Sequence, residues 1–171
     1  LRLPACSRRG VHRLHWMARN AAPAQSLATV LARDPALALR LWLLVDLQTD
    51  DGAPREVGSL RELVEAMPRH VLCAWLEALW QTTVGEMPPG DWHVKALALA
   101  RFLELAAGRL APDDLALARA AYLLGLIGHF RETLAQAFRQ PAQRVRGSPA
   151  IEDAAALRTG PLGALLDLAL G

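Results

Sequence analysis

Residues 34–48, DPALALRLWLLVDLQ, limit what this chain can fold into more than any other stretch. Leu37, Leu41, Leu44 and Gln48 share one stripe of a helix, and Leu39, Leu43 and Leu47 share another. A helix that is apolar on most of its sides has to be surrounded by other elements, so this one is a central helix. Its start is written locally. Asp34 is an N-cap residue, and Pro35 stands at the first helical position, where its missing N–H costs nothing.

The flanking text is helical too. "SLATVLARD" reads as a short helix with Ser26 as N-cap. "SLRELVEAM" opens with Ser59 and carries Glu62 three residues on, a capping box, and Leu60, Leu63, Val64 and Met67 follow at helical spacing. Pro68 ends that helix and can begin the next, "PRHVLCAWLEALW". "WHVKALALARFLELAAG" is a long helix with Gly108 as a C-cap candidate. Pro112, Asp113 and Asp114 give the following helix a proline and an acidic first turn, and it runs through "AYLLGLIGHF". Two short helices around residues 152–157 and 162–170, separated by "RTGP", close the chain. "TDDGAPREVG" and "GEMPPGD" are the clear breaks.

No stretch alternates as a half-buried strand would. The sequence therefore predicts an all-α, single-domain bundle of roughly eight to ten helices joined by short loops. Residues 1–10 form an irregular lead-in, and residues 11–171 form the helical domain. Leu and Ala carry a hydrophobic content of 53 %, yet no apolar run reaches the span of about 18 residues that a bilayer demands. The expectation is a cytoplasmic domain off the membrane, with Cys6 and Cys73 as two reduced thiols lacking disulfide or zinc spacing.

Composition and motifs also exclude several kinds of chemistry. A formal net charge of +2 is too small to carry binding to a polyanion, which argues against nucleic acid as the partner. His12 and His15 can face one way on a helix, but Arg8, Arg9, Arg13 and Arg19 surround them and would repel a cation. They read as a basic helix face. Ser26, Ser59 and Ser148 lack the context of a nucleophile, and there is no glycine-rich phosphate loop. Trp42, Trp75, Trp80 and Trp92 lie in apolar helical text and are expected to pack in the core.

Four segments in order, "LARDPALALRLWLLVD", "VGSLRELVEAMPRHVLCAWLEAL", "WHVKALALARFLELAAG" and "AAYLLGLIGHF", resemble an HDOD domain. The family patterns are "I-x-x-D-P-x-L-x-x-x-L-L", "V-x-S-L-x-x-A-I-x-x-L-G" and "A-F-x-x-G-L-L-H-D-I-G". Asp34, Pro35, Leu37, Leu41, Val57, Ser59, Leu60, Gly125 and Leu126 fall on them. Gly160, Leu162, Gly163, Leu165 and Leu166 match a closing segment that is similar to the HDOD half of bacterial proteins pairing an EAL domain, a cyclic di-GMP phosphodiesterase fold, with a C-terminal HDOD domain. Met67–Pro68 stands where the second pattern ends in Leu-Gly, and "VDLQTDD" stands where an Asn-Ser pair is usual.

The resemblance implies an HD/HDOD-like helical bundle and a signal-transduction role without catalysis, acting by protein–protein interaction in cyclic di-GMP-linked regulation. The related HD hydrolases hold metal with a distant His, an adjacent His-Asp pair and a further Asp. This chain has no adjacent His-Asp, and "LIGHF" stands where that pair would fall. A lone His93 cannot hold a catalytic metal with a site left for water. The expectation is no catalytic residue, no metal ligand and no cofactor. The alternatives are a degenerate metal-dependent phosphohydrolase and a sensor of a small ligand such as a nucleotide. Two partner surfaces are expected. One is the helix end at His129, Phe130 and Arg131, near where an HD cleft would open. The other is the basic N-terminal helix with Arg13 and Trp16. An EAL domain in the same full-length chain is a further expected partner.

Overall fold

The computed structural model describes residues 5–48, 55–82, 91–137, 145–147 and 160–170. Among them lie eight helices: α1 (Arg8–Arg19), α2 (Ala24–Leu31), α3 (Pro35–Gln48), α4 (Leu60–Glu65), α5 (Arg69–Thr82), α6 (Asp91–Leu110), α7 (Leu115–Ala137) and α8 (Gly160–Leu170). Two three-residue strands accompany them, β1 (Arg55–Val57) and β2 (Val145–Gly147). They pair in parallel, with Arg55 opposite Val145 and Val57 opposite Gly147. The chain is thus mostly helical, and β1 corrects the reading of residues 49–58 as loop throughout. Three residues are too few to display alternation, so the pairing leaves no periodic signal.

Helix starts follow side-chain caps where these exist. Ser7 Oγ accepts from the Gly10 N–H at 3.1 Å, so α1 begins at Arg8, ahead of the expected boundary at residue 11. At α4, Ser59 Oγ accepts from the Glu62 N–H at 3.2 Å and Glu62 Oε2 accepts from the Gly58 N–H at 2.7 Å, completing the capping box. Asp114 caps α7 by accepting from the Leu117 N–H at 2.9 Å, so the helix starts after the acidic pair and Pro112 lies in the turn before it. Ser26 is not a cap: α2 begins at Ala24 behind Pro23. Gly108 does not end α6, which continues to Leu110. The helix expected at residues 152–157 lies outside the described residues, and the last one is α8.

α3 lies in the middle of the assembly, against α2, α4, α6 and α7. Leu37, Leu39, Leu41, Trp42 and Val45 are all buried. Its N-cap joins two elements. Asp34 Oδ1 accepts from the Leu37 N–H at 3.0 Å, and Oδ2 accepts from the Ser7 N–H at 2.8 Å, so one buried carboxylate ties the start of α1 to the start of α3. Burial pushes this carboxyl above its ordinary range, while the Ser7 and Leu37 N–H groups and the field of His93 pull the other way.

The largest helix pair is α6 against α7. A Cβ added at Gly125 would stand 2.6 Å from the backbone nitrogen of Ala100 and 2.9 Å from the carbonyl carbon of Leu99. Only a residue without a side chain allows α7 to approach the backbone of α6 this closely. α8 packs on α6 through buried Leu162 and Leu165, and Gly160, at φ +71°, supplies the left-handed residue at its start.

Two glycines in this pair should respond in opposite directions. Gly125→Ala has to push two backbones apart and should destabilise the fold by about 3 kcal/mol. A Cβ at Gly108 meets nothing within 4 Å, so Gly108→Ala should stabilise α6 by about 0.5–1 kcal/mol. Urea denaturation midpoints check both signs.

Candidate functional site

α2, α4, α6 and α7 converge around a cleft of about 310 Å³. Gln25 and Thr29 of α2, Arg61 of α4, Arg101 and Glu104 of α6, and Arg119 of α7 line it, with Tyr122 among the lining residues. Tyr122 is buried and donates its hydroxyl to the Ala32 carbonyl at 2.6 Å, joining α7 to the end of α2. The Arg101 guanidinium lies 5.0 Å from the centre of the Tyr122 ring, a cation–π contact. Arg101 also pairs with Glu104 at 2.5 Å, and Arg61 pairs with Glu65 at 2.7 Å. Arg119 is exposed and has no acidic partner among the described residues. With Arg61 paired to Glu65 and Arg101 to Glu104, the lining is basic chiefly through Arg119, suited to an anionic group but without a nucleophile–base pair. Ser59, at its edge, is occupied by the capping box.

The basic N-terminal helix divides into two faces. One packs on α5: Arg8 lies 4.5 Å from the centre of the Trp80 ring, the His12 ring lies against the same ring at 4.9 Å, tilted by 42°, and His15 Nε2 meets Glu77 Oε2 at 3.0 Å. The cluster expected as a solvated surface is therefore partly a structural seam between α1 and α5. Arg13 and Trp16 remain on the outer face, and Trp16 is 62 % exposed. Of the tryptophans expected in the core, Trp42 is buried, whereas Trp75, Trp80 and Trp92 are half-buried against it.

His129, Phe130 and Arg131 lie within α7, beyond the buried run 120–126; the helix continues to Ala137, so they are not the helix end expected, and their side chains are outside the described residues. His93 is half-buried on α6, beside Trp92, with ring centres 5.4 Å apart. Among the described residues, no three His, Cys, Asp or Glu side chains converge as a metal site requires. No described helix is long and apolar enough to cross a membrane. Cys6 is buried and Cys73 half-buried, and neither is in a disulfide among the described residues.

Sequence reasoning missed the arginine-lined cleft. Arg61, Arg101 and Arg119 sit on three different helices, and no local pattern links them. Each alone reads as an ordinary solvated charge at the edge of an amphipathic helix.

Tyr122 is the chain's single tyrosine, so a phenolate absorbance titration reports on it alone. Burial raises its pKa above 10.0, with Arg101 opposing and Glu104 assisting. The folded midpoint should therefore exceed that of the urea-unfolded chain. The unfolded state then loses its proton first as pH rises, so stability should fall through the alkaline range above pH 10.0. Tyr122→Phe should remove that fall. No family model, curated protein or solved structure matches this chain.

Proposed function

We propose that this chain is a non-catalytic recognition domain of the HDOD kind, which binds a protein partner in bacterial cyclic di-GMP-linked regulation. One observation carries the reading. Among the described residues, most of those that bear the family resemblance also hold the helices in place. Asp34 caps α3 and anchors α1, and Pro35, Leu37 and Leu41 are buried behind it. Val57 and Leu60 are buried around the Ser59 cap, Gly125 sets the approach of α7 to α6, and Leu162 and Leu165 seat α8. Such a pattern supports a shared architecture more strongly than scattered identities would. In the same reading, the domain works in the cytoplasm, with an EAL domain as a partner in the full-length protein.

A degenerate metal-dependent phosphohydrolase is the rival from the catalytic side. Metal analysis and cyclic di-GMP turnover by the purified chain separate the two. Recognition alone gives no stoichiometric iron, manganese or magnesium and no turnover. Turnover that disappears on His93→Ala or His129→Ala would establish the hydrolase instead.

A small-ligand sensor is the second reading, and the arginine-lined cleft favours it. An anionic ligand could take charge-assisted hydrogen bonds from Arg119 and from the free edges of Arg61 and Arg101. Calorimetry with cyclic di-GMP addresses it, and a flat titration removes that ligand.

The partner surface expected from the family geometry is the stretch of α7 at His129, Phe130 and Arg131, with Arg13 and Trp16 of α1 as the competitor. Paired variants decide between them in a pull-down with lysate of the source cell. Phe130→Ala with Arg131→Ala should release the partner. Release by Arg13→Ala with Trp16→Ala alone would move the interface to α1.

A further inference from the structure

Among the described residues, six large apolar side chains are exposed, and four of them belong to α6: Val94 at 64 %, Phe102 at 41 %, Leu105 at 68 % and Leu110 at 62 %. Exposed leucines scattered singly need no explanation, but a helical row does. Val94, Ala98, Phe102 and Leu105 follow one another at four- and three-residue intervals, so they form one stripe over three turns, about 16 Å long. The opposite side of the same helix is committed to the core through Ala96, Ala100, Leu103 and Ala107. α6 is thus apolar towards α7 and α8 and apolar again on its outer face.

The charges beside the stripe are mixed but mostly basic, with Lys95, Arg101 and Arg109 against Asp91 and Glu104. Lys95, Arg101 and Arg109 are all exposed there. Arg101 shares its charge with Glu104, whereas Lys95 and Arg109 have no acidic partner among the described residues.

We propose that the outer face of α6 is a docking site for an acidic amphipathic helix of a protein partner, whose apolar residues cover Val94, Ala98, Phe102 and Leu105 and whose carboxylates meet Lys95 and Arg109. Charge selects this occupant. In a second copy docked antiparallel about Phe102, Lys95 of one chain falls beside Arg109 of the other, and a parallel pairing sets each cation beside itself. Either arrangement brings like cations together, with Asp91 offsetting only part of that charge. A bilayer surface fits less well, because Lys95 and Arg109 contribute only about 1 kcal/mol each and the stripe is narrow and held flat by the core behind it. A single helix laid along the stripe matches its length and width and needs no deep groove. The proposal rests on the recognition reading above only for the class of partner, and it names a surface that reading does not use.

The test uses the full chain with two fluorescent helical peptides. Both carry leucines at three- and four-residue spacing, flanked by glutamates in one and by lysines in the other. In anisotropy titrations the glutamate peptide should bind and the lysine peptide should not. Phe102→Asp should weaken binding at least about tenfold, a change of about 1.4 kcal/mol. Lys95→Glu combined with Arg109→Glu should transfer the preference to the lysine peptide. These side chains are exposed, so thermal melts of the variants should match the parent.

The proposal is overturned if neither peptide binds, if both bind equally, or if Phe102→Asp changes nothing. It is equally overturned by a dimer in sedimentation that Phe102→Asp dissolves, or by phosphatidylserine vesicle binding that Phe102→Asp abolishes. Failure here is distinct from failure of the recognition reading. A partner released only by the Arg13 and Trp16 variants sinks the α6 site alone. Cyclic di-GMP turnover sinks recognition without altering the peptide titration.

Discussion

The close approach of α7 to α6 at Gly125 and Ala100 is the constraint on which the other placements depend. Two helices whose backbones come this near have little freedom to slide or rotate, because any side chain at the crossing would collide with main-chain atoms. Fixing this pair fixes which faces of α6 are spent. One side goes to α7, another receives α8 through Leu162 and Leu165, and the remaining face, with Val94, Phe102 and Leu105, is left to solvent. The same crossing brings Arg101 and Tyr122 within a cation–π contact at the cleft.

A second set of polar ties holds the N-terminal half onto this pair. Tyr122 reaches Ala32 at the end of α2, and Asp34, two residues further on, binds the starts of both α1 and α3. Burying a carboxylate costs solvation, which raises its pKa, and the two N–H donors offset part of that cost. The hydrogen-bonding arrangement specifies a single geometry where an apolar contact would accept several. The helix order, and with it the cleft between α2, α4, α6 and α7, follows from these few fixed points.

Much of the fold was legible because its signals are local. The cap at Ser59 and Glu62, the Asp34–Pro35 start and the break at Pro68 each involve neighbours in sequence, and each operates in the structure. The apolar surround of α3 was equally readable, since Leu37, Leu39 and Leu41 sit on different sides of one helix and are all buried. Long-range features were not readable. The pairing of β1 with β2 joins segments far apart in the chain and too short to alternate. Trp80 looked like core but lies at a seam, where Arg8 and His12 of α1 cover it. The cleft needs Arg61, Arg101 and Arg119 from three helices, and the outward stripe on α6 could be told from core only once the facing helices were known.

Recognition by an exposed helix face requires that the helix be held rigid from behind. In this chain the rigidity comes from the α6–α7 crossing, and a frayed or sliding α6 would present no fixed stripe. Native-state hydrogen exchange tests that dependence directly. The backbone amides of α6 around Ala100 and Leu103, and of α7 around Leu123 to Leu126, should exchange only through global unfolding, with the same opening free energy as urea denaturation gives. If these amides instead open at a free energy well below that of global unfolding, the α6–α7 pair is not the foundation of the fold.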